Sequence, residues 1–160
     1  MTTGDRLHRF DRWLYRGGRP NRLARFLNRG WAWLSSTGLI MPGRLATLEV
    51  RGRRTGKPVS LPVVLTARRD DRYLVSMLGE NVNWVRNLRA AEGRAVLRHG
   101  RREQVKLVEV APDERAPVLR DYLRIAPGAR AHFPVPPDAP EAEFARIAPA
   151  YPVFRVTEAR

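Results

Sequence analysis

From Leu45 onward the chain changes its period. Ala46, Leu48 and Val50 alternate with Thr47, Glu49 and Arg51, the two-residue repeat of a strand with one buried face. Further strand-like segments follow at 59–67, 73–78, 95–99, 104–110 and 152–157. The polar stretch Arg68-Arg69-Asp70-Asp71 joins the second to the third, and a turn at Gly100 joins the fourth to the fifth. Parallel neighbours need crossovers of about a dozen residues or more, longer than these connections. The spacing therefore predicts a mainly β (α+β) fold with about six antiparallel strands. Closing such a sheet into a barrel removes its exposed edges.

Helical periodicity flanks and interrupts the strands. Residues 5–15 and 20–34 read as helices; in the second, Leu23, Phe26, Leu27, Trp31 and Leu34 share one face, with Arg22, Arg25 and Arg29 opposite and Trp33 beside the arginines. That pattern suits either an interfacial helix on an anionic membrane surface or a helix packed on its own barrel. Three more helices are expected: a short one at 83–91, one at 112–125 stopped by Pro127-Gly128, and one at 139–148 opened by Asp138 and Glu141 at capping-box spacing. The proline-rich stretch 128–137 reads as a structureless surface loop able to cover a site. The expected organisation is one domain over 1–160: basic amphipathic helices in 1–36, the core barrel in 45–110, and helices with a final strand in 111–160.

Composition removes several chemistries. There are no cysteines, which excludes a disulfide framework, a thiolate nucleophile and sulfur-ligated zinc. His8, His99 and His132 have no partner at i+3 or i+4, so no metal site is expected. Ser76 lacks the flanking glycines of a nucleophile elbow. Redox chemistry would have to come from a cofactor. The net charge of +14 is concentrated early, with 13 basic and 3 acidic side chains in residues 1–57. An anionic partner is therefore expected to meet that third, although no helix-turn-helix or RNA-recognition signature supports nucleic acid. No apolar run approaches the roughly 18 residues of a spanning helix. A cytoplasmic protein is expected, with the inner face of the cell membrane as a peripheral site.

Two constellations remain. Gly52-Arg53-Arg54-Thr55-Gly56-Lys57-Pro58 is not a Walker loop, since its glycines are one residue too close and Pro58 replaces the metal-binding hydroxyl. It is a tight turn with cations at Arg51, Arg53, Arg54 and Lys57 and a hydroxyl at Thr55. Such a turn is either a solvated basic hairpin or a cradle for phosphate and carboxylate oxygens. The second constellation runs from Ser76-Met77-Leu78-Gly79 to Trp84-Val85-Arg86-Asn87-Leu88-Arg89, a strand end, a glycine and a helix start. That geometry presents backbone N–H groups to an anion or a polar ring edge.

The order of these motifs, with Pro62 between them, resembles the deazaflavin-dependent nitroreductase and quinone reductase family. The resemblance covers residues 45–110 well and the segment ending Tyr151-Pro152-Val153-Phe154-Arg155-Val156 in layout. It implies a split β-barrel that binds coenzyme F420, an 8-hydroxy-5-deazaflavin, and passes a hydride to a quinone, an enone or a nitro compound. The basic turn would take the coenzyme's anionic tail through Arg53, Arg54, Thr55, Gly56 and Lys57. Ring or linker contacts would come from Val59, Ser60, Pro62 and Val64, from Ser76, Met77, Leu78 and Gly79, and from Trp84, Asn87 and Leu88. The family's nitroreductases carry a longer loop before the tryptophan and tyrosines after the long helix; this chain has neither, which favours quinones or enones over bulky nitroimidazoles. Arg130 and His132 are the candidates for a proton donor or electrostatic stabiliser. The rival readings are a flavin mononucleotide enzyme on the same barrel and a cofactor or lipid binder without turnover.

Overall fold

The computed structural model of the chain describes residues 43–159. The helices expected at 5–15 and 20–34, and with them the 1–36 region, lie outside the described residues. Seven strands form one sheet: β1 Leu45–Arg51, β2 Pro58–Val64, β3 Thr66–Arg68, β4 Asp71–Val75, β5 Arg94–His99, β6 Arg101–Glu109 and β7 Val153–Glu158. Their order is β2-β1-β5-β6-β7-β4-β3, and every pairing is antiparallel.

The single strand expected at 59–67 is two strands, and the break decides the architecture. β2 and β3 are the outermost strands of the sheet, yet only Leu65 separates them in sequence. In a flat sheet at about 4.8 Å per strand, edges six spacings apart would be about 29 Å from each other. One residue spans only about 3.5 Å. The sheet must therefore curl until its edges meet at Leu65, whose N–H donates to the Arg44 carbonyl at 2.7 Å. β2 and β3 do not pair, so the curled sheet stays split along that seam. Pro58 and Pro62 lie four apart in β2, putting both missing N–H groups on the same edge, where an end strand has no neighbour to lose.

The concave side holds the first of two cores. Leu48, Leu97, Leu74 and Phe154, from β1, β5, β4 and β7, point inward together with Val85 and Leu88 of α1, the helix Asn83–Ala90. Each fully buried leucine contributes about 1.5–3 kcal/mol. A second core covers the opposite face of β4 and β7. It joins Val153 to α2 (Ala116–Ile125) and α3 (Glu141–Ile147), with Tyr73 and Val75 packed against it.

Three local expectations change here. The strand expected to run to Leu78 stops at Val75, because the next residues turn away. The stretch 128–137 is not a structureless loop: Pro127–His132 is a 3-10 helix, and Ala129, Phe133 and Val135 are buried in the second core. Its apolar side chains outweigh its prolines. The capping box at Asp138 and Glu141 does not form; α3 opens at Pro140 with no side-chain cap, and Glu141 and Glu143 serve the helix N-terminus as charges instead.

Between α1 and β5 the chain closes on itself. Glu92 N–H donates to the Arg89 carbonyl and Gly93 N–H to the Leu88 carbonyl, the paired bonds of a Schellman motif, with Glu92 at φ 54° in the left-handed position. A glycine is the usual occupant there. Replacing Glu92 by glycine should stabilise the protein by about 0.5–1 kcal/mol, since the strain relieved exceeds the backbone entropy added. The lost Glu92–Arg94 ion pair is largely exposed and contributes little. A thermal melt should show a rise of about 2–4 °C; an unchanged or lower midpoint would contradict this account.

Candidate functional site

The basic turn is built by its glycines. Gly52 N–H donates to the Lys57 carbonyl at 2.8 Å and Gly56 N–H to the Gly52 carbonyl at 2.8 Å, with Gly56 at φ 68°. A Cβ on Gly52 would stand 3.0 Å from Thr55 Oγ1 and 3.2 Å from the Lys57 carbonyl oxygen, so a side chain there would have to push these neighbours aside by a few tenths of an ångström. Thr55 Oγ1 accepts the Lys57 N–H at 3.3 Å. Arg53 does something the sequence does not suggest. Its backbone N–H and its Nη1 both donate to Asn87 Oδ1, at 3.2 and 2.8 Å, and its guanidinium reaches Asn83 Oδ1 at 3.4–3.5 Å. One arginine thus ties the turn to the first and second turns of α1. Arg51, Arg54 and Lys57 are exposed, and none makes an ion pair among the described residues.

The second constellation is a turn after β4. Ser76 is buried; its N–H donates to the Pro152 carbonyl at 2.9 Å and its hydroxyl to the Gly79 carbonyl at 2.5 Å. Gly79 returns an N–H to the Ser76 carbonyl at 3.2 Å and holds φ 85°. Met77 leans on the second core, whereas Leu78 is 57% exposed, an unusual position for a leucine unless something apolar covers it. Residues 80–82 then lead into α1, which has no side-chain cap and no acid in its first turn, so its first N–H groups are open to an acceptor.

Among the ring or linker candidates, the arrangement is uneven. Val59, Ser60, Pro62 and Val64 are all half-buried along β2, beside the seam. Trp84 is partly buried, edge-on to Phe154 at 5.5 Å. Asn87 is 6% exposed and Leu88 1%, so the leucine is enclosed in the first core and the amide serves Arg53.

A third group meets the strand end from the C-terminal side. A Cβ on Gly79 would lie 3.3 Å from the Ala150 carbonyl oxygen, which brings the turn Ala148–Ala150 against it. The next residue, Tyr151, stacks on Phe133 at 4.1 Å and donates its hydroxyl to the His132 carbonyl at 2.7 Å; burial raises its pKa. Arg130 donates Nε to the Leu123 carbonyl at 3.0 Å and Nη2 to the Arg124 carbonyl at 3.3 Å, capping the end of α2. Tyr151 and the buried Arg115 escape sequence reading. The available hint for Arg115 is its place just before α2, where the helix dipole disfavours a cation.

Among the described residues no cluster of histidine or carboxylate side chains could hold a metal ion, and no helix is long and apolar enough to cross a membrane. Residues 32–131 match the model of a family described as F420H(2)-dependent quinone reductase. No curated protein matches the chain. Solved structures of similar fold include a protein of unknown function from Agrobacterium tumefaciens, 14% identical with a TM-score of 0.55, the match covering 72% of this chain and 48% of that one. An F420-H2 dependent reductase, FDR-A, is 14% identical with a TM-score of 0.50 over 74% of this chain and 97% of its own. A heme binding protein from Mycobacterium smegmatis is 13% identical with a TM-score of 0.50 over 86% and 51%. This chain spans about half the length of the first and third. At these identities the likeness is one of fold.

Proposed function

Because the chain belongs to the F420H(2)-dependent quinone reductase family, we propose that it is an oxidoreductase that holds reduced coenzyme F420 across the basic turn and the end of β4 and reduces a quinone or enone there. The observation that carries this reading is the attachment of the turn to α1 through Arg53, Asn83 and Asn87, which makes one rigid wall of an exposed cationic cradle and a helix start. The residues fit a deazaflavin with an anionic tail. Arg54 and Lys57 offer exposed donors, with Thr55 and Gly56 shaping the backbone between them, and Arg53 orients the cradle. Leu78 offers an exposed apolar side chain beside Gly79, where an aromatic ring would cover it.

When bound and reduced, the coenzyme supplies a hydride. The protein's own part is placement and charge. β2 contributes Val59, Ser60, Pro62 and Val64 as one side of the linker path, and Ser76–Gly79 with Trp84 the other; Asn87 and Leu88 support that side from beneath. Reduction leaves an anion on the substrate oxygen that needs a proton or a stabilising charge within reach. We assign this to the mouth formed by residues 127–133 and Tyr151. His132 is the candidate proton donor, and Arg130 supplies positive charge while its donors stay on the Leu123 and Arg124 carbonyls. A quinone oxyanion is delocalised and tolerates a distant or solvent-supplied proton, so quinones and enones should outpace bicyclic nitroimidazoles. An anionic membrane surface, where quinones partition, would be met through Arg22, Arg25 and Arg29.

The test is a fluorescence titration of the protein with oxidised deazaflavin coenzyme, flavin mononucleotide and NADPH, followed by initial rates with menadione and a bicyclic nitroimidazole under excess reduced coenzyme. The deazaflavin is expected to bind most tightly and menadione to be reduced faster. Tighter flavin mononucleotide binding would move the protein to another cofactor, and coenzyme binding without reduction of either compound would make it a binder.

A further inference from the structure

Arg115 is the sole charged side chain among the described residues that is buried, at 5% exposure, and desolvation lowers its pKa. Its guanidinium is nonetheless fully engaged. Nε donates to the Val110 carbonyl at 2.8 Å, and Nη1 to the carbonyls of Ala148 at 3.1 Å, Tyr151 at 3.4 Å and Pro149 at 3.5 Å. Nη2 meets Glu109 Oε1 at 3.3 Å. Glu109 in turn takes Arg89 at 2.8 Å, and Arg89 reaches Glu80 at 3.6 Å. Charge therefore alternates along a relay from Arg115 through Glu109 and Arg89 to Glu80.

The two ends of that relay lie on either side of Gly79. Glu80 is its chain neighbour. At the other end, Arg115 holds three of the four carbonyls between Ala148 and Tyr151, and the fourth, that of Ala150, is the one that faces Gly79. We infer that Arg115 is a positioning residue for the coenzyme site: it fixes the 148–151 turn, and with it Tyr151, against the strand end at Gly79. This rests on the reading that the coenzyme lies against residues 76–79. A lysine would keep the charge but not the geometry, because one ammonium cannot donate to the Val110 carbonyl, three carbonyls of a turn and Glu109 together.

The test compares Arg115→Lys, Arg115→Met and Glu109→Gln with Leu123→Ala, a truncation elsewhere in the second core, and with Leu78→Asp in the site itself. Thermal midpoints and the Kd for oxidised deazaflavin coenzyme are measured for each. Arg115→Lys should weaken coenzyme binding about tenfold or more, the scale at which lost supporting contacts act on a binding group. Leu123→Ala should lower the midpoint at least as far yet change Kd less than about twofold, since its side chain makes none of the bonds that hold the 148–151 turn. Glu109→Gln, which leaves the carbonyl bonds in place, should give a smaller loss in the same direction. Equal Kd changes for Arg115→Lys and Leu123→Ala, or none for Arg115→Lys, would overturn the positioning role. Should neither Arg115 variant fold, an unaltered Kd in Glu109→Gln would overturn it. If Leu78→Asp leaves coenzyme affinity intact, or the wild-type protein binds no deazaflavin, the site reading fails and this inference falls with it.

Discussion

Replacing Gly93 by alanine is expected to remove about 3 kcal/mol or more of stability, a large share of the roughly 5–15 kcal/mol that keeps a domain folded. Two costs combine at this position. Gly93 holds φ 81°, which an L-residue adopts only at a penalty of about 1–2 kcal/mol. A Cβ there would also lie 2.3 Å from the Leu107 carbonyl oxygen, closer than any real contact. The clash cannot be relieved by swinging a side chain aside, because the Cβ is fixed to its own backbone and the atom it meets is a backbone carbonyl. Gly93 N–H donates to the Leu88 carbonyl, and the Gly93 carbonyl accepts the Leu107 N–H at 2.8 Å, so shifting it disturbs the end of α1 and the β5–β6 pairing together. Urea denaturation of Gly93→Ala checks this, and a midpoint within about 0.5 M of wild type would refute it, given a slope of about 2–3 kcal/mol per molar.

The second large effect concerns binding. The double change Arg54→Glu and Lys57→Glu should weaken the deazaflavin coenzyme by two orders of magnitude or more, as each hydrogen bond to a charged group contributes about 1.5–3 kcal/mol and reversal adds repulsion. Arg54→Glu alone should give a smaller loss. Both variants should flatten the dependence of Kd on salt, because the lost term is a screened one. Stability should barely move, since neither side chain makes an ion pair among the described residues. An unaltered affinity with normal folding would place the coenzyme's tail elsewhere. A parallel loss of flavin mononucleotide affinity by the same factor would show that the turn reads a single phosphate rather than a longer anionic chain.

Local pattern made much of this molecule legible. The alternation of Ala46, Leu48 and Val50 foretells β1 and its buried face residue by residue, and the short connections at 68–71 and Gly100 foretell the two hairpins. The basic turn reads as a turn because its glycines punctuate it. What escaped depends on contacts remote in sequence. Nothing near Leu65 says that the strand breaks there, because Val63, Val64, Leu65 and Thr66 are all compatible with an unbroken strand; the break follows from the two sheet edges having to meet. Likewise the prolines of 128–137 argue for a loose loop, and only the packing of Phe133 and Val135 against α2 and α3 makes it ordered. The same holds within the site. Arg53 looks like its cationic neighbours until Asn87 stands opposite, 34 residues away, and Tyr151 is far in sequence from the His132 carbonyl it bonds.

The placement of β7 bears on when the site can exist. That strand lies between β6 and β4, pairing Leu107 with Val156 on one side and Leu74 with Phe154 on the other. Without it the sheet falls into two pieces, β2-β1-β5-β6 and β4-β3, joined by Leu65 and by the segment 76–93 that carries α1. The cationic turn belongs to the first piece and Ser76–Gly79 to the second, and Ser76 itself is anchored on Pro152. On the ribosome, the emerging chain can build the β1–β2 and β5–β6 hairpins early, since their contacts are local. The two halves of the proposed site cannot come into register until residues 153–158 have left the exit tunnel. Long-range insertion of a central strand is slow compared with hairpin formation. A ligand that bridges both halves would consequently be unable to bind the nascent chain and would act only afterwards, trapping the finished sheet once its last strand has seated.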